Sequence, residues 1–368
     1  MVIVSTSYFN TGSCTDPLQW LQRIRFYTGI LDALATSHTV YSIEQIGYSG
    51  KLVRNDVKYH FLNFGKKKIY WPAKLHRHIR SLQPDLVLVN GFIFPGQVWL
   101  LRKKLGPRAR IYLFYRGEQP PGGWRKILHR KAARAINGYF FSAAPQGLQW
   151  VQSGCIPDSR KIHEVIQASS FFRPGSKTVA RKKLALPEGL LFLWVGRLDN
   201  NKDPLTVVKA FIQYLETGSA ARLYLIYQED HLFPEIQKLI SASPLAQEAV
   251  IPLGRLAHEE LEDWYRAADF FISGSHHEGN GIAVCEAMSC GCIPVLTRIP
   301  SFTKMTGNGE CSLLYEAGNV QALLAVLLKI RELHIEHESK KALKYFSEEL
   351  SFEAIAEKIN AITAPTPE

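Results

Sequence analysis

DFFISGSHHEGNGIAVCEAMSCG, residues 269–291, changes its hydrophobic pattern twice within one short stretch. An apolar run ending in DFFISGS reads as a strand, HHEGNG as a polar glycine-bearing turn, and IAVCEAMSC, closed by Gly291, as a helix. A strand that turns directly into a helix leaves unpaired N–H groups and the positive end of the helix dipole at the turn, which suits an anion. Gly279 and Gly281 let the backbone come close to a phosphate. Glu286, about one helical turn in, is placed to accept hydrogen bonds from two vicinal hydroxyls, as on a ribose, because a carboxylate has two acceptor oxygens. Glu278, at the turn, faces whatever hangs beyond the phosphates. The alternative is a pair of solvated acids flanking a helix start.

The same alternation extends outward in both directions and predicts an α/β protein with parallel sheets. Towards the N-terminus the reading gives strands at 2–9, 39–46, 57–64, 86–90, 110–115 and 139–143, with helices at 16–35, 71–82, 95–105 and 123–136. Asp16 and Pro17 suit the start of the first helix. A stretch rich in Pro, Gly and Lys, 169–189, reads as a linker, after which strands at 190–196, 222–227, 249–254, 269–274 and 293–297 alternate with helices again. A chain of 368 residues exceeds the size of one ordinary core. The expectation is two Rossmann-like doubly wound domains, 1–168 and 169–345, facing across a cleft, with ligands at the carboxyl ends of the strands.

VGRLDNNKDP, 195–204, supplies cations for the anion site: Arg197 and Lys202 follow the end of a strand and precede a helix. With VGRLDNNKDPLTVVKAF followed by LGRLAHEELEDWYRAADFFISGSHHEGNGIAVCEAMSCGCIPVLT, the chain resembles the C-terminal half of retaining GT-B glycosyltransferases of glycosyltransferase family 4, including their E-x7-E motif at Glu278 and Glu286. The likeness is dense over about 190–330.

The resemblance implies a role for each matching position. Arg197 and Lys202, with Gly196 beside them, would bind the donor diphosphate, and Glu286 the ribose hydroxyls. Glu278 would contact the transferred sugar, and the amides around Gly279, Asn280, Gly281 and Ile282 the sugar and phosphate. Arg255 and Leu256, after Gly254, would lie against the base. A C-terminal segment, 346–368, would return to the first domain. Such enzymes use cations and helix dipoles in place of a metal, which agrees with the lack of a D-x-D carboxylate pair, so neither metal nor cofactor is expected.

The first half departs from that family: TGSCTD at 11–16 carries only Gly12 where a double glycine is common, and QASSFF at 167–172 replaces the usual interdomain segment. Gly12 remains the first-domain candidate against the donor. Arg116 and Glu118, with Tyr115 next, are the candidates for reaching the reacting centre, the alternative being a salt bridge at a strand end.

Six cysteines are few for this length and are expected as free thiols. Cys285, Cys290 and Cys292 lack paired C-x2-C spacing and a fourth ligand for zinc. His334 and His337 share a helix face without a third ligand.

Charge is uneven: residues 51–134 hold 20 Lys and Arg against 3 Asp and Glu, while the remainder has 24 against 30. The basic stretches include KKK at 66–68, 73–82, 101–110 and 124–136. In the last, Trp124, Ile127, Leu128 and Ala135 are expected on one helix face, with Arg125, Lys126, Arg130 and Lys131 elsewhere. Such a surface suits anionic lipid headgroups and a lipid-linked acceptor, or is a solvated basic face. Nucleic acid is not expected, because no binding module accompanies the charge. The N-terminus lacks signal-peptide features and the most apolar run, 86–101, is too short to span a bilayer, so a cytoplasmic protein, peripheral on the inner membrane face, is expected.

These readings combine as a metal-independent retaining glycosyltransferase moving a sugar from a nucleoside-diphosphate sugar to a glycan or lipid-linked acceptor. The alternatives are another GT-B nucleotide-sugar enzyme, such as an epimerase or hydrolase, or a silent nucleotide-sugar or polyanion binder.

Overall fold

The computed structural model describes residues 1–64 and 72–364. The lysine run at 66–68 and residues 365–368 lie outside the described residues. The chain divides into two compact units, one made of Met1–Ser169 with Phe352–Glu368 and the other of Ser170–Ser351.

The first unit is built on eight strands: β1 (Val2–Ser7), β2 (Thr39–Glu44), β3 (Gly50–Arg54), β4 (Val57–Phe61), β5 (Leu86–Asn90), β6 (Arg110–Phe114), β7 (Gly138–Phe141) and β8 (Ile162–Glu164). Their order is β3-β4-β2-β1-β5-β6-β7-β8, parallel except for the β3/β4 pair. The central strands read as apolar runs because helices cover both faces of such a sheet; in β5, Leu86 to Val89 are all buried. Sequence reading missed β3. Its hairpin to β4 turns at Asn55 and Asp56, both at positive φ (48° and 62°), as a two-residue turn matched to strand twist requires.

The single helix expected over 16–35 is two, Pro17–Arg23 and Arg25–Ala35, with Ile24 between them outside helical backbone geometry. Asp16 caps the first as expected, its carboxylate accepting from the amides of Leu18 and Gln19 at 2.8 and 3.2 Å. The break lets each half bury its own face, Leu21 in one and Tyr27, Ile30, Leu31 and Leu34 in the other. The terminal helix also differs from expectation. Phe346–Leu350 form a π-turn that continues the helix Ile335–Tyr345 in the second unit, Ser351 is extended, and the segment returning to the first unit starts at Phe352 rather than 346. That helix, Phe352–Thr363, buries Phe352, Ile355 and Ile359 and packs on Arg25–Ala35. Tyr112 Oη donates to the carbonyl of Ile362 at 3.3 Å, and His38 Nε2 and Asn360 Oδ1 lie 3.0 Å apart.

The second unit carries β9 (Leu190–Gly196), β10 (Ala221–Tyr227), β11 (Val250–Gly254), β12 (Phe270–Ser273), β13 (Ile293–Thr297) and β14 (Leu313–Tyr315), all parallel, in the order β11-β10-β9-β12-β13-β14. This is the doubly wound Rossmann order, and its direction reverses between β9 and β12. Phe192, Trp194, Phe211, Tyr214 and Phe270 fill the core on one side. Part of the expected linker is ordered structure in this unit: Ser176 caps a helix, Lys177–Lys183, whose Lys177 and Arg181 reach the buried Asp269 at 2.5 and 2.7 Å. Composition hid it, since a short basic helix after Pro174 and Gly175 looks like a solvated connector.

Cys285, Cys290 and Cys292 are buried free thiols, and burial raises the Cys290 thiol to about 12. His334 and His337 are exposed. Among the described residues no group of three or more His, Cys, Asp or Glu side chains gathers as a metal ligand set.

Candidate functional site

The reversal between β9 and β12 opens a crevice. The two strands pair at Phe192/Phe270 and Leu193/Phe271, while β9 continues to Gly196 and β12 to Ser273, so their carboxyl ends part. The loop with Arg197 and Lys202 leaves β9, and the loop with Glu278 leaves β12, which brings the two sequence motifs together.

Backbone and side-chain contacts stitch the loops. The His276 amide donates to the Asn201 carbonyl at 2.8 Å, and the Asn201 side chain accepts from the His277 amide and donates to its carbonyl, both at 3.1 Å. Gly274 permits the approach: a Cβ there would stand 2.5 Å from the Asp203 carbonyl oxygen. Asp203 itself sits at φ 42° and caps the helix Pro204–Glu216 through the amide of Thr206. Asn201, Asp203, Gly274 and His276 were not singled out from the sequence; their spacing matches no local period, and they meet only because the fold brings two loops to one end of the sheet.

Lys202 Nζ forms an ion pair with Glu278 Oε1, and both side chains are mostly buried. Ser275 Oγ donates to the same carboxylate oxygen at 3.2 Å. Arg197 lies 3.2 Å from Asp199 and keeps about half of its side chain in solvent. Lysine and glutamate, expected to serve phosphate and sugar separately, are partners in this state.

Beyond Glu278 the chain turns through Gly279 and Asn280 to Gly281, at φ 57°, which starts the helix Ile282–Ser289. Asn280 Oδ1 is buried without a hydrogen-bond partner, an orphaned acceptor beside amides at a helix start. Glu286 is 5% exposed, and both its oxygens accept: from His258 Nε2 at 2.5 Å and from Tyr265 Oη at 3.1 Å. Sequence reading missed His258 and Tyr265, which lie 28 and 21 residues away. Gly254 (φ 76°), exposed Arg255 and half-buried Leu256 follow β11 at the same end of the sheet.

The first unit has its own candidates. Gly12 is exposed in the loop after β1. Arg116 points inward: its guanidinium lies 4.9 Å over the Tyr27 ring and donates to Asn90 Oδ1 and, at 3.4 Å, to the Gln167 carbonyl. Burial lowers its pKa, with Tyr27, Glu118 and Glu44 acting the other way. Glu118 accepts from the backbone amides of Phe92 and Arg116, both at 2.7 Å, so it pins the turn after β5. Tyr115 is buried in the core, where burial raises its phenol to about 12.

Residues 176–349 match the family model described as "Glycosyl transferases group 1". That match spans nearly the whole of the second unit, Ser170–Ser351. The matched segment contains every second-unit candidate above. A D-inositol 3-phosphate glycosyltransferase from Acidothermus cellulolyticus is 29% identical over 209 residues, 54% of this chain and 47% of the relative. The lipopolysaccharide core biosynthesis mannosyltransferase LpsB of Rhizobium meliloti is 26% identical over 61% of this chain and 63% of its own. The chain thus aligns with about half to two thirds of these two relatives' length. The structure of HepE from Anabaena in complex with UDP-glucose superposes with a TM-score of 0.70 at 13% identity, over 98% of both chains. That likeness establishes the GT-B fold.

Proposed function

We propose that the protein is a retaining glycosyltransferase that moves a sugar from a nucleoside-diphosphate sugar to a glycan or lipid-linked acceptor without a metal. The observation that carries this reading is the crevice between β9 and β12, where the loop bearing Arg197 and Lys202 is bonded to the loop bearing Glu278, which runs on through the orphaned Asn280 oxygen to the helix start that precedes Glu286. HepE, of like fold, is solved with UDP-glucose.

In this reading the diphosphate lies on the amides at Gly281 and Ile282, and Arg197 and Lys202 neutralise it. Lys202 moves from Glu278 to the phosphate, which leaves Glu278 to accept from the sugar hydroxyls. As the bond from anomeric carbon to phosphate oxygen breaks, charge grows on the departing diphosphate, where the fixed cations and helix dipole stabilise it. Retention follows from attack on the same face, the leaving phosphate taking the acceptor proton.

Thermal unfolding of wild type, Arg197→Ala and Glu286→Ala with UDP, GDP, ADP and dTDP, each with and without EDTA, tests the site. A diphosphate at about a hundredfold excess over its Kd is expected to stabilise wild type by roughly 2.7 kcal/mol, unchanged by EDTA and lost in both variants. No stabilisation by any diphosphate, or rescue only by magnesium, would count against it. Product analysis separates transfer from epimerisation or hydrolysis, and binding without turnover would indicate a silent binder.

The membrane side of the proposal has a surface to support it. The helix Gly123–Ala132 turns Trp124, Ile127 and Leu128 to solvent, 67%, 56% and 38% exposed, among Arg125, Lys126, Arg130 and Lys131. Ala135, expected on that face, lies past the helix end and is buried. The neighbouring helix Pro95–Leu105 adds Trp99, with Lys103 Nζ 3.7 Å from its ring. Among the described residues no helix is long and apolar enough to cross a membrane. An exposed apolar stripe among cations fits an anionic bilayer surface, at about 1 kcal/mol per near-surface cation. Co-sedimentation with vesicles containing phosphatidylglycerol is expected, weakening with salt and in the double variant Trp124→Ser, Ile127→Ser; equal binding to neutral vesicles would sink the idea.

A further inference from the structure

We propose that His258 is a positioning residue for ribose recognition: with Tyr265 it fixes the plane of the Glu286 carboxylate, so that the remaining lone pairs of that group receive a vicinal diol. The inference rests on the donor-site reading above.

Each Glu286 oxygen meets one donor from outside its own helix, His258 Nε2 at 2.5 Å from Oε1 and Tyr265 Oη at 3.1 Å from Oε2. The last torsion of a glutamate is broad and weakly preferred, so a carboxylate held at one oxygen still pivots. Held at both oxygens by donors from two separate ring systems, it does not. An ionised carboxylate has about four lone-pair sites, so about two remain for hydroxyls after the two rings are served.

The clamp is itself supported. Phe172, 3% exposed, stacks on His258 at 5.0 Å between centroids and 29° between planes, and its ring also lies 5.9 Å from that of Tyr265. Tyr265 is wholly buried; burial first, and the Glu286 charge second, hold its phenol well above the ordinary range, so it stays a donor. His258 differs, with 42% of its side chain exposed, and forms the solvent-facing jaw. Removing Tyr265 would open the core, whereas His258 is partly exposed and its replacement costs the core less. The solvent-facing jaw is therefore where diol selection can be tested apart from folding.

The experiment is calorimetric titration of UDP and GDP, and of their 2′,3′-dideoxy analogues, into wild type, His258→Ala, His258→Phe, His258→Gln and Glu286→Ala. Wild type is expected to prefer the ribonucleotide. His258→Ala is expected to cut that preference roughly tenfold while the dideoxy affinity stays within about twofold. His258→Phe keeps the stack on Phe172 without the donor and should give the same loss, even if the alanine variant folds poorly. His258→Gln, with an amide N–H to offer, should recover most of the preference. An unchanged preference in His258→Phe, or tighter ribonucleotide binding there than in wild type, would overturn the proposal, the latter because the histidine would then be a plug over Glu286. If wild type binds neither diphosphate, or Glu286→Ala keeps the full preference, the donor-site reading fails and the inference with it.

Discussion

Replacing Lys202 by methionine is expected to slow sugar transfer by about a hundred- to a thousandfold, the range for removing one fixed group that faces developing charge. The fold should survive, because the lysine's ion pair is with Glu278 at the crevice rather than with the core. In wild type this pair gives the mostly buried Lys202 ammonium a partner, beside the proposed phosphate position. The companion variant, Glu278→Gln, separates the two roles. In the proposed function it removes the anion that competes with diphosphate for Lys202, so a bare nucleoside diphosphate should bind as tightly as in wild type or more so, while transfer falls. Steady-state kinetics with titration of the diphosphate checks both. Weaker diphosphate binding in Glu278→Gln would mean that the glutamate orients the lysine rather than competing for it.

The largest expected effect on stability lies at Asp269. Its buried carboxylate accepts from Lys177 at 2.5 Å, from Arg181 at 2.7 Å and from the Leu191 amide at 2.9 Å, and thereby ties the helix Lys177–Lys183 to the start of β9. Asp269→Ala leaves a mostly buried guanidinium and an amide without their acceptor, a loss of about 3–5 kcal/mol. Urea unfolding followed by the fluorescence of Trp194 and Trp264, both in the second unit, should show a lower midpoint with an unchanged slope. Asp269→Asn, which keeps an acceptor for Leu191, should lose less. An unfolding free energy within about 1 kcal/mol of wild type for the alanine variant would show that the contacts are solvated in practice.

Period and punctuation made the two sheets legible before any coordinates. The apolar runs at 86–90, 190–196 and 293–297 stand as strands with those bounds. The strand-turn-helix at 269–291 placed Glu278, Gly281 and Glu286 around one helix start, and the structure has them there. What remained hidden depends on long-range meeting. His258 and Tyr265 reach Glu286 from a preceding helix, and Asn201 fastens a loop 76 residues away. Neither leaves a periodic trace. Short elements were lost for a different reason: β3 is five residues long, mostly exposed and without alternation, and the helix Lys177–Lys183 is dominated by polar and basic residues, so their patterns carry little hydrophobic contrast. Arg116 and Glu118 drew notice as charges at a strand end, yet the fold turns one inward against Tyr27 and sets the other on backbone amides.

The return of Phe352–Thr363 to the first unit has a bearing on how the protein is made. On a ribosome the second unit's residues are all synthesised before that helix, so it can close its core while the first unit still lacks one wall. Until residue 363 has emerged, the helix Arg25–Ala35 presents an uncovered apolar strip, on which Phe352, Ile355 and Ile359 later settle. The half of the chain that is translated first is thus finished last. A nascent chain stalled in the 340s would be the species most prone to capture by a chaperone, and its binding site there would be that strip.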